Sequence, residues 1–568
     1  MDVASVLGAA GAFKLHWFDI SVFLAFFGVV VGVSMYKSRK EETGEDYFLA
    51  GRGLTWPLIG FSLIAANIST EHFVGMSGQG AGMGLAIASY EWIAAITLVF
   101  VALLFLPKFL RSGIFTIPEY LEYRYNSAAR SIMAFYVMIM YVVVAIAAVV
   151  YSGGLTLQTI FGDTQNPAHL KYGILLVGSI AAVYTIWGGL KAVAWADLFQ
   201  GSALIIGGAI TMVLGFVAIG KLHPSAEAGA GIITTVSNGI QLFSEKNAGK
   251  LHMFLPKDHP IIPWTALIIG IWIPNFYYWG LNQFITQRTL AAKTLRQGQL
   301  GIIFAAALKL LIPFIMVFPG IMALQLYQDQ VIAKNDAAYP LLIKNLINPG
   351  LRGFIFAAIS GAVISSLASM LNSASTIFTM DLYKRLINNK ASQKSLVWMG
   401  RVMTLLFVVV GCLIAPNLGS EKFKGIFNYI QETQGFITPG ILAAFAFGLI
   451  FKRAPSAAGI SAMALNIPVY GIMNLKFFEF IKPIKPALDS LRENAFIGKL
   501  NELAFLNQMA ITFGVLILAM SIITILKPLK EPRVMPVREE FDMRPTPAVI
   551  WLGGLVIVVT LALYVIFR

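Results

Sequence analysis

The feature that most constrains this chain is a succession of apolar runs, each about 20 to 28 residues long and bounded by charges or turn residues. A helix rises about 1.5 Å per residue, so each run is long enough to cross a hydrocarbon layer about 30 Å thick. The runs lie near 17–36, 54–80, 83–107, 131–151, 172–190, 198–219, 262–284, 299–326, 351–378, 398–417, 425–451, 457–475, 505–526 and 546–567. Of the 568 residues, 57% are hydrophobic and only 12% are charged, which excludes an ordinary soluble enzyme. The expectation is an all-α polytopic membrane protein with about fourteen transmembrane helices, residues 1–568 forming one domain.

The scarce charges orient it. An even number of spans puts both termini on one side, and alternation then gathers Lys37, Arg39, Lys40, Arg52, Lys384, Arg385, Lys390, Lys394, Lys452, Arg453, Lys527, Lys530 and Arg533 on the other. Lysine and arginine mark the cytoplasmic face, so both termini are expected to be extracytoplasmic, in the cell (inner) membrane. The net charge of +14 is thereby accounted for by loops in contact with a lipid bilayer. No zinc-finger or basic-helix pattern points to nucleic acid, and nothing indicates an obligate protein partner. The lone Cys412 excludes an intrachain disulfide, and residues 1–16 do not read as a removable signal peptide.

Two runs look broken. LTWPLIGFSLIAANISTEHFVGMSGQG places Asn, Ser, Thr, Glu and His between Ala65 and His72, where lipid-length helix should be apolar. Backbone that leaves the helix at membrane depth is tolerated only beside protein or a water-filled cavity, and such breaks mark transporter sites. IWIPNFYYWGLNQF carries Pro274 and Asn275 at a comparable point. These breaks open two blocks of five spans, 54–219 and 262–451, and an odd number of spans per block inverts the second relative to the first. The expected architecture is a five-plus-five inverted repeat of the LeuT-like kind, with an extra helix at 17–36 and three C-terminal helices in 457–568.

Ionisable groups inside spans are costly unless paired or hydrated. Glu91 in ASYEWIAAI and Lys309 in FAAALKLLIPF either bind a polar solute or form a buried ion pair with each other. Asp197 follows WGGLKAVAWA, where it either needs a partner at membrane depth or caps a helix N-terminus. His72 is the one histidine inside a run, which favours a hydrogen bond to solute over a proton relay or metal site. Ser365 and Ser366 lie on a run rich in small residues; they serve close helix packing or, with carbonyls freed by a break, a sodium site, since a hard cation takes several oxygens. Tyr90, Trp92, Tyr277, Tyr278, Trp279 and Phe427 add aromatic faces around the breaks, which suit the apolar C–H faces of a sugar, though composition alone does not single them out.

The segments SLIAANIS, GLAIASYEW, WGGLKAV, NFYYWGLNQFITQRTLAAK, ISSLASMLNSASTIFTMD and NYIQETQG resemble the sodium/solute symporter family, most closely its bacterial sodium/glucose and sodium/galactose branch, in order and over nearly the whole chain. The resemblance implies sugar contacts at His72, Glu91, Asn275, Lys309 and Gln431, and Tyr278 as a stacking residue and inner gate. It implies an outer gate of Met76, Tyr90 and Phe427. It places sodium on the carbonyls of Ala65, Ile68 and Ala362 and the hydroxyls of Ser365 and Ser366, with Asp197 along the sodium exit. Three positions depart from the pattern. His72 stands where the bacterial galactose branch has glutamine, and Ala94 where it has a serine contact. Ala368 replaces the threonine of relatives with a second sodium site, so one sodium per sugar is expected.

The implied function is sodium-coupled import of a monosaccharide, glucose or galactose, by alternating access, with sodium as the coupling ion. Inositol or another small polar solute, or proton coupling, are the competing readings. No nucleophile motif suggests an intramembrane enzyme, and a sensor would carry a soluble output domain.

Overall fold

The computed structural model describes residues 16–39, 42–69, 71–161, 167–227, 229–333, 335, 338–419, 426–479, 483, 485–538, 542–544 and 546–568, and these are helical or irregular apart from one isolated bridge between Leu54 and Ala292. Among them, 10 helices are long and apolar enough to cross a membrane, and Trp56–Asn67, Ala168–Val183 and Thr438–Ile450 are shorter apolar helices. The chain is a multi-pass membrane protein. Fewer long helices emerge than there are apolar runs because several runs are broken or share one helix.

Helix α1 (Trp17–Lys37) starts at a capping box, with His16 as cap and Asp19 reaching back to its backbone N–H. The same carboxylate accepts from the backbone N–H groups of Gly350 (2.6 Å) and Gly353 (2.9 Å), fixing α1 to the start of a later helix.

Helix α2 (Trp56–Asn67) ends where the polar stretch begins. Ile68 turns extended (φ −85°, ψ 111°), and helical backbone resumes in a wide π turn, Glu71–Met76, which runs into α3 (Ser77–Met83). The first expected break is therefore present and in place. Next come α4 (Ser89–Phe100) and α5 (Ser127–Ile139), the latter continuing through the π turn Met140–Ile146 into Ala147–Phe161.

The runs at 172–190 and 198–219 fall within one helical stretch, α6 (Pro167–Gly220), which bends at Gly189 (φ +47°). A side chain there would stand 2.3 Å from the Tyr47 carbonyl, so glycine supplies both the angle and the room. Asp197 lies beyond this bend inside continuous helix, so it caps nothing.

The second broken run corrects the expectation. Pro274 sits in the first turn of α7 (Trp272–Gly280), where a missing N–H goes unneeded, and Asn275 continues the helix by donating to the Ile271 carbonyl. The chain leaves the helix instead at Leu281 and Asn282, before α8 (Gln283–Leu290). Asn282 is extended there (ψ 120°), its side chain accepting from the Tyr141 hydroxyl. Then follow α9 (Leu295–Leu326), α10 (Leu351–Ile377) and α11 (Ile426–Gln434). The half of α6 beyond Gly189 packs antiparallel along α10, whose small residues bring the two backbones close.

Candidate functional site

The ends of α2 and α7, the first turn of α4, the π turn of α5, the middle of α10 and α11 enclose one cavity. His72, Glu91, Asn275, Tyr278 and Gln431, five of the six expected solute contacts, line it, as do the expected gate residues Met76 and Tyr90 and the expected sodium ligand Ser366. Lys309 reaches it from α9 through its partners. Its ammonium donates to Glu91 and to the side-chain oxygen of Asn67, and lies 4.8 Å from the Trp279 ring centre, a cation–π distance. His72 Nε2 lies 3.5 Å from the other oxygen of Glu91. The ion pair weighed in the sequence thus exists, and it stands on the wall of the cavity.

Asn67, the last residue of α2, joins three parts of the site. Besides accepting from Lys309, it donates from Nδ2 to the Tyr278 hydroxyl at 3.0 Å. One and two residues earlier, the Ala66 and Ala65 carbonyls accept from Ser366 Oγ at 2.9 and 3.3 Å. Tyr90 and Gln431 both line the cavity, bringing α4 and α11 to the same wall. Phe427 lies on α11, but its side chain is outside those described.

Beneath this cavity the expected cation residues meet a group that sequence reading missed. Asp197, fully buried, accepts from Ser365, from Ser62 and from Arg288 Nη2, the last at 3.1 Å. Arg288 on α8 is itself fully buried and also donates to Ser62, to Ser369 and to the Phe284 carbonyl. The guanidinium neutralises the carboxylate within a cage of hydroxyls, which is how a buried charge is held without large cost. Ala65, Ile68, Ala362 and Ala94 are all buried. Chemically, the cavity offers amides, a carboxylate, an ammonium and aromatic faces to a polar solute. The lower level offers hydroxyl and carbonyl oxygens to a hard cation.

A helical membrane body with a polar cavity at two broken helices defines a solute transporter. Residues 47–465 match the model of the sodium:solute symporter family. A sodium/glucose cotransporter of Vibrio parahaemolyticus is 42% identical over 492 residues, covering 83% of this chain and 87% of the relative. An uncharacterized symporter of Escherichia coli is 35% identical, covering 93% and 87%, and sodium/myo-inositol cotransporter 2 of Sus scrofa is 34% identical, covering 82% and 70%. In fold the chain is similar to a substrate-bound, outward-open Na+-coupled sialic acid symporter, with a TM-score of 0.75 at 21% identity, covering 92% of this chain and 100% of that one. The chain belongs to the sodium:solute symporter family, and its function is sodium-coupled symport of a solute.

Proposed function

We propose that this protein imports a monosaccharide, glucose or galactose, with one sodium ion per sugar, by alternating access across the cell (inner) membrane. The observation that carries the reading is the convergence of His72, Glu91, Asn275, Gln431 and Tyr278 on one cavity whose floor includes Ser366. Solute and cation residues there share the broken end of α2. The 42% identity to a sodium/glucose cotransporter supports a sugar, and the sodium/myo-inositol relatives favour a cyclic polyol as the second reading.

On this reading the sugar hydroxyls bond to His72, Glu91, Asn275, Lys309 and Gln431, while Tyr278 stacks beneath the ring as inner gate. Met76, Tyr90 and Phe427 close the outer side. Sodium rests on the carbonyls of Ala65, Ile68 and Ala362 and the hydroxyls of Ser365 and Ser366, and leaves past Asp197. Blocks 54–219 and 262–451 act as inverted five-helix repeats within about fourteen spans, with 17–36 and 457–568 outside them and both termini extracytoplasmic. Sodium couples to sugar only if it binds the outward- and inward-open forms with different affinity.

The test is uptake of labelled glucose or galactose into proteoliposomes under a sodium gradient, with unlabelled sugars and myo-inositol competing. Sodium-dependent uptake displaced by one hexose is expected. Uptake driven by a pH gradient in sodium-free buffer would overturn the coupling ion. Ser365→Ala is expected to weaken sodium dependence far more than sugar selectivity, and the reverse pattern would overturn its assignment.

A further inference from the structure

One turn along α6 from Asp197 lies Gln200, completely buried, with neither its amide nitrogen nor its amide oxygen hydrogen-bonded. The antiparallel register with α10 places it closely. Asp197 meets Ser365, and one turn earlier on α10 a Cβ on Gly361 would stand 2.9 Å from Gln200 Cγ and 3.5 Å from Cδ. Its neighbour Gly201 lies against α2, where a Cβ would be 3.3 Å from that of Ala65. Gln200 is therefore set among Asp197, the α10 backbone beside Ala362 and the end of α2.

A buried polar group left unpaired costs about 1–3 kcal/mol, and this side chain leaves two. Methionine or leucine would fill the same volume without that cost. Gly361 contributes room as well, because any larger residue would push the amide away from α10. An amide carbonyl is a good ligand for a hard cation, and this one lies next to the proposed sodium residues without being one of them.

We propose that Gln200 is a sodium-recognition residue, its amide oxygen presented to the cation between Asp197 and the Ala362 carbonyl. The inference rests on the sodium-coupled reading above. It extends that oxygen set onto α6, so that the cation joins three helices.

The experiment uses the full-length protein in proteoliposomes, comparing wild type, Ser365→Ala, Gln200→Met and Gln200→Glu. Gln200→Met is expected to raise the half-saturating sodium concentration about tenfold or more while leaving the sugar KM at saturating sodium within about twofold. Gln200→Glu keeps an oxygen and is expected to restore sodium affinity to within about threefold of wild type. Sodium-induced change in tryptophan fluorescence, read without sugar, gives the same ranking independently of turnover. An unchanged sodium dependence in Gln200→Met would overturn the proposal, since packing alone would then explain the residue. So would equal loss in the Met and Glu variants. A wild type indifferent to sodium would instead overturn the coupling reading itself, and Ser365→Ala with full sodium response would overturn the sodium-residue assignment on which this proposal builds. Should Gln200→Met fail to fold, Gln200→Leu and Gln200→Glu carry the same comparison.

Discussion

Replacing Arg288 with methionine removes the only cation bonded to the Asp197 carboxylate among the described residues and leaves that carboxylate fully buried. Charges 3.1 Å apart interact by about 5 kcal/mol at an effective dielectric constant of about 20. Removing one partner of a buried pair costs about 3–5 kcal/mol, because the other charge keeps its desolvation penalty. Arg288→Met should therefore destabilise the protein by about that amount. Asp197→Asn alone should also destabilise it, by stranding the guanidinium. The double variant removes both charges and keeps hydroxyl partners for the new amide, so it should recover at least about 2 kcal/mol relative to the sum of the singles. Unfolding of purified protein in mixed micelles, followed by tryptophan fluorescence, reads the cycle. Sodium, but not choline, should partly restabilise Arg288→Met, because the freed carboxylate with Ser62 and Ser365 then offers oxygens to a cation. A cycle additive to within about 0.5 kcal/mol would refute the reasoning, since the two groups would then not depend on each other.

Tyr278→Phe keeps the ring but deletes the 3.0 Å bond from Asn67, worth about 0.5–1.5 kcal/mol; sugar should leave to the inside faster with its affinity changed less than about threefold, measured by efflux from loaded proteoliposomes. Lys309→Met should abolish sugar binding and lower stability. Adding Glu91→Gln should recover stability but not sugar binding, as calorimetry and unfolding of the two variants would tell. Asp19→Ala removes the carboxylate that caps both α1 and the start of α10, and should cost about 1–2 kcal/mol in unfolding with little change in the sodium dependence of uptake.

What the sequence discloses follows from how far each signal depends on its neighbours in the chain. The break after Asn67 is legible because five of the eight residues from Ala65 to His72 are polar and out of place in lipid whatever surrounds them. Glu91 and Lys309 stand out on the same ground. Pro274 misleads because proline is read as a breaker, yet in a first turn it is compatible with helix. The chain departs at Leu281 and Asn282, where the only local cue is the Gly-Leu-Asn stretch. Arg288 is invisible for another reason. It lies just beyond the run at 262–284, where arginine ordinarily orients the loop, and only the approach of α6 and α10 makes it a buried counter-ion. Gln200 is hidden likewise, since one amide in an apolar run carries no weight until its lack of partners is seen.

If sodium and solute bind as proposed, three residues at the end of α2 lie between the two and can couple them. Ala65 and Ala66 present carbonyls to Ser366, and Asn67 holds both Lys309 and the Tyr278 hydroxyl. On the proposed assignment, sodium bound by the Ala65 carbonyl and Ser366 would fix the last turn of α2, which sets where Asn67 points. That in turn would decide whether Lys309 faces Glu91 and whether Tyr278 keeps its place in the cavity. Asn67→Ala should then leave sodium binding by fluorescence nearly intact and sugar binding measurable, while the increase in sugar affinity that sodium brings falls to less than about twofold. By reciprocity, the increase in sodium affinity that sugar brings must shrink by the same factor. Loss of one coupling without the other would mean that the variant has damaged a site, and that the link between the sites runs elsewhere.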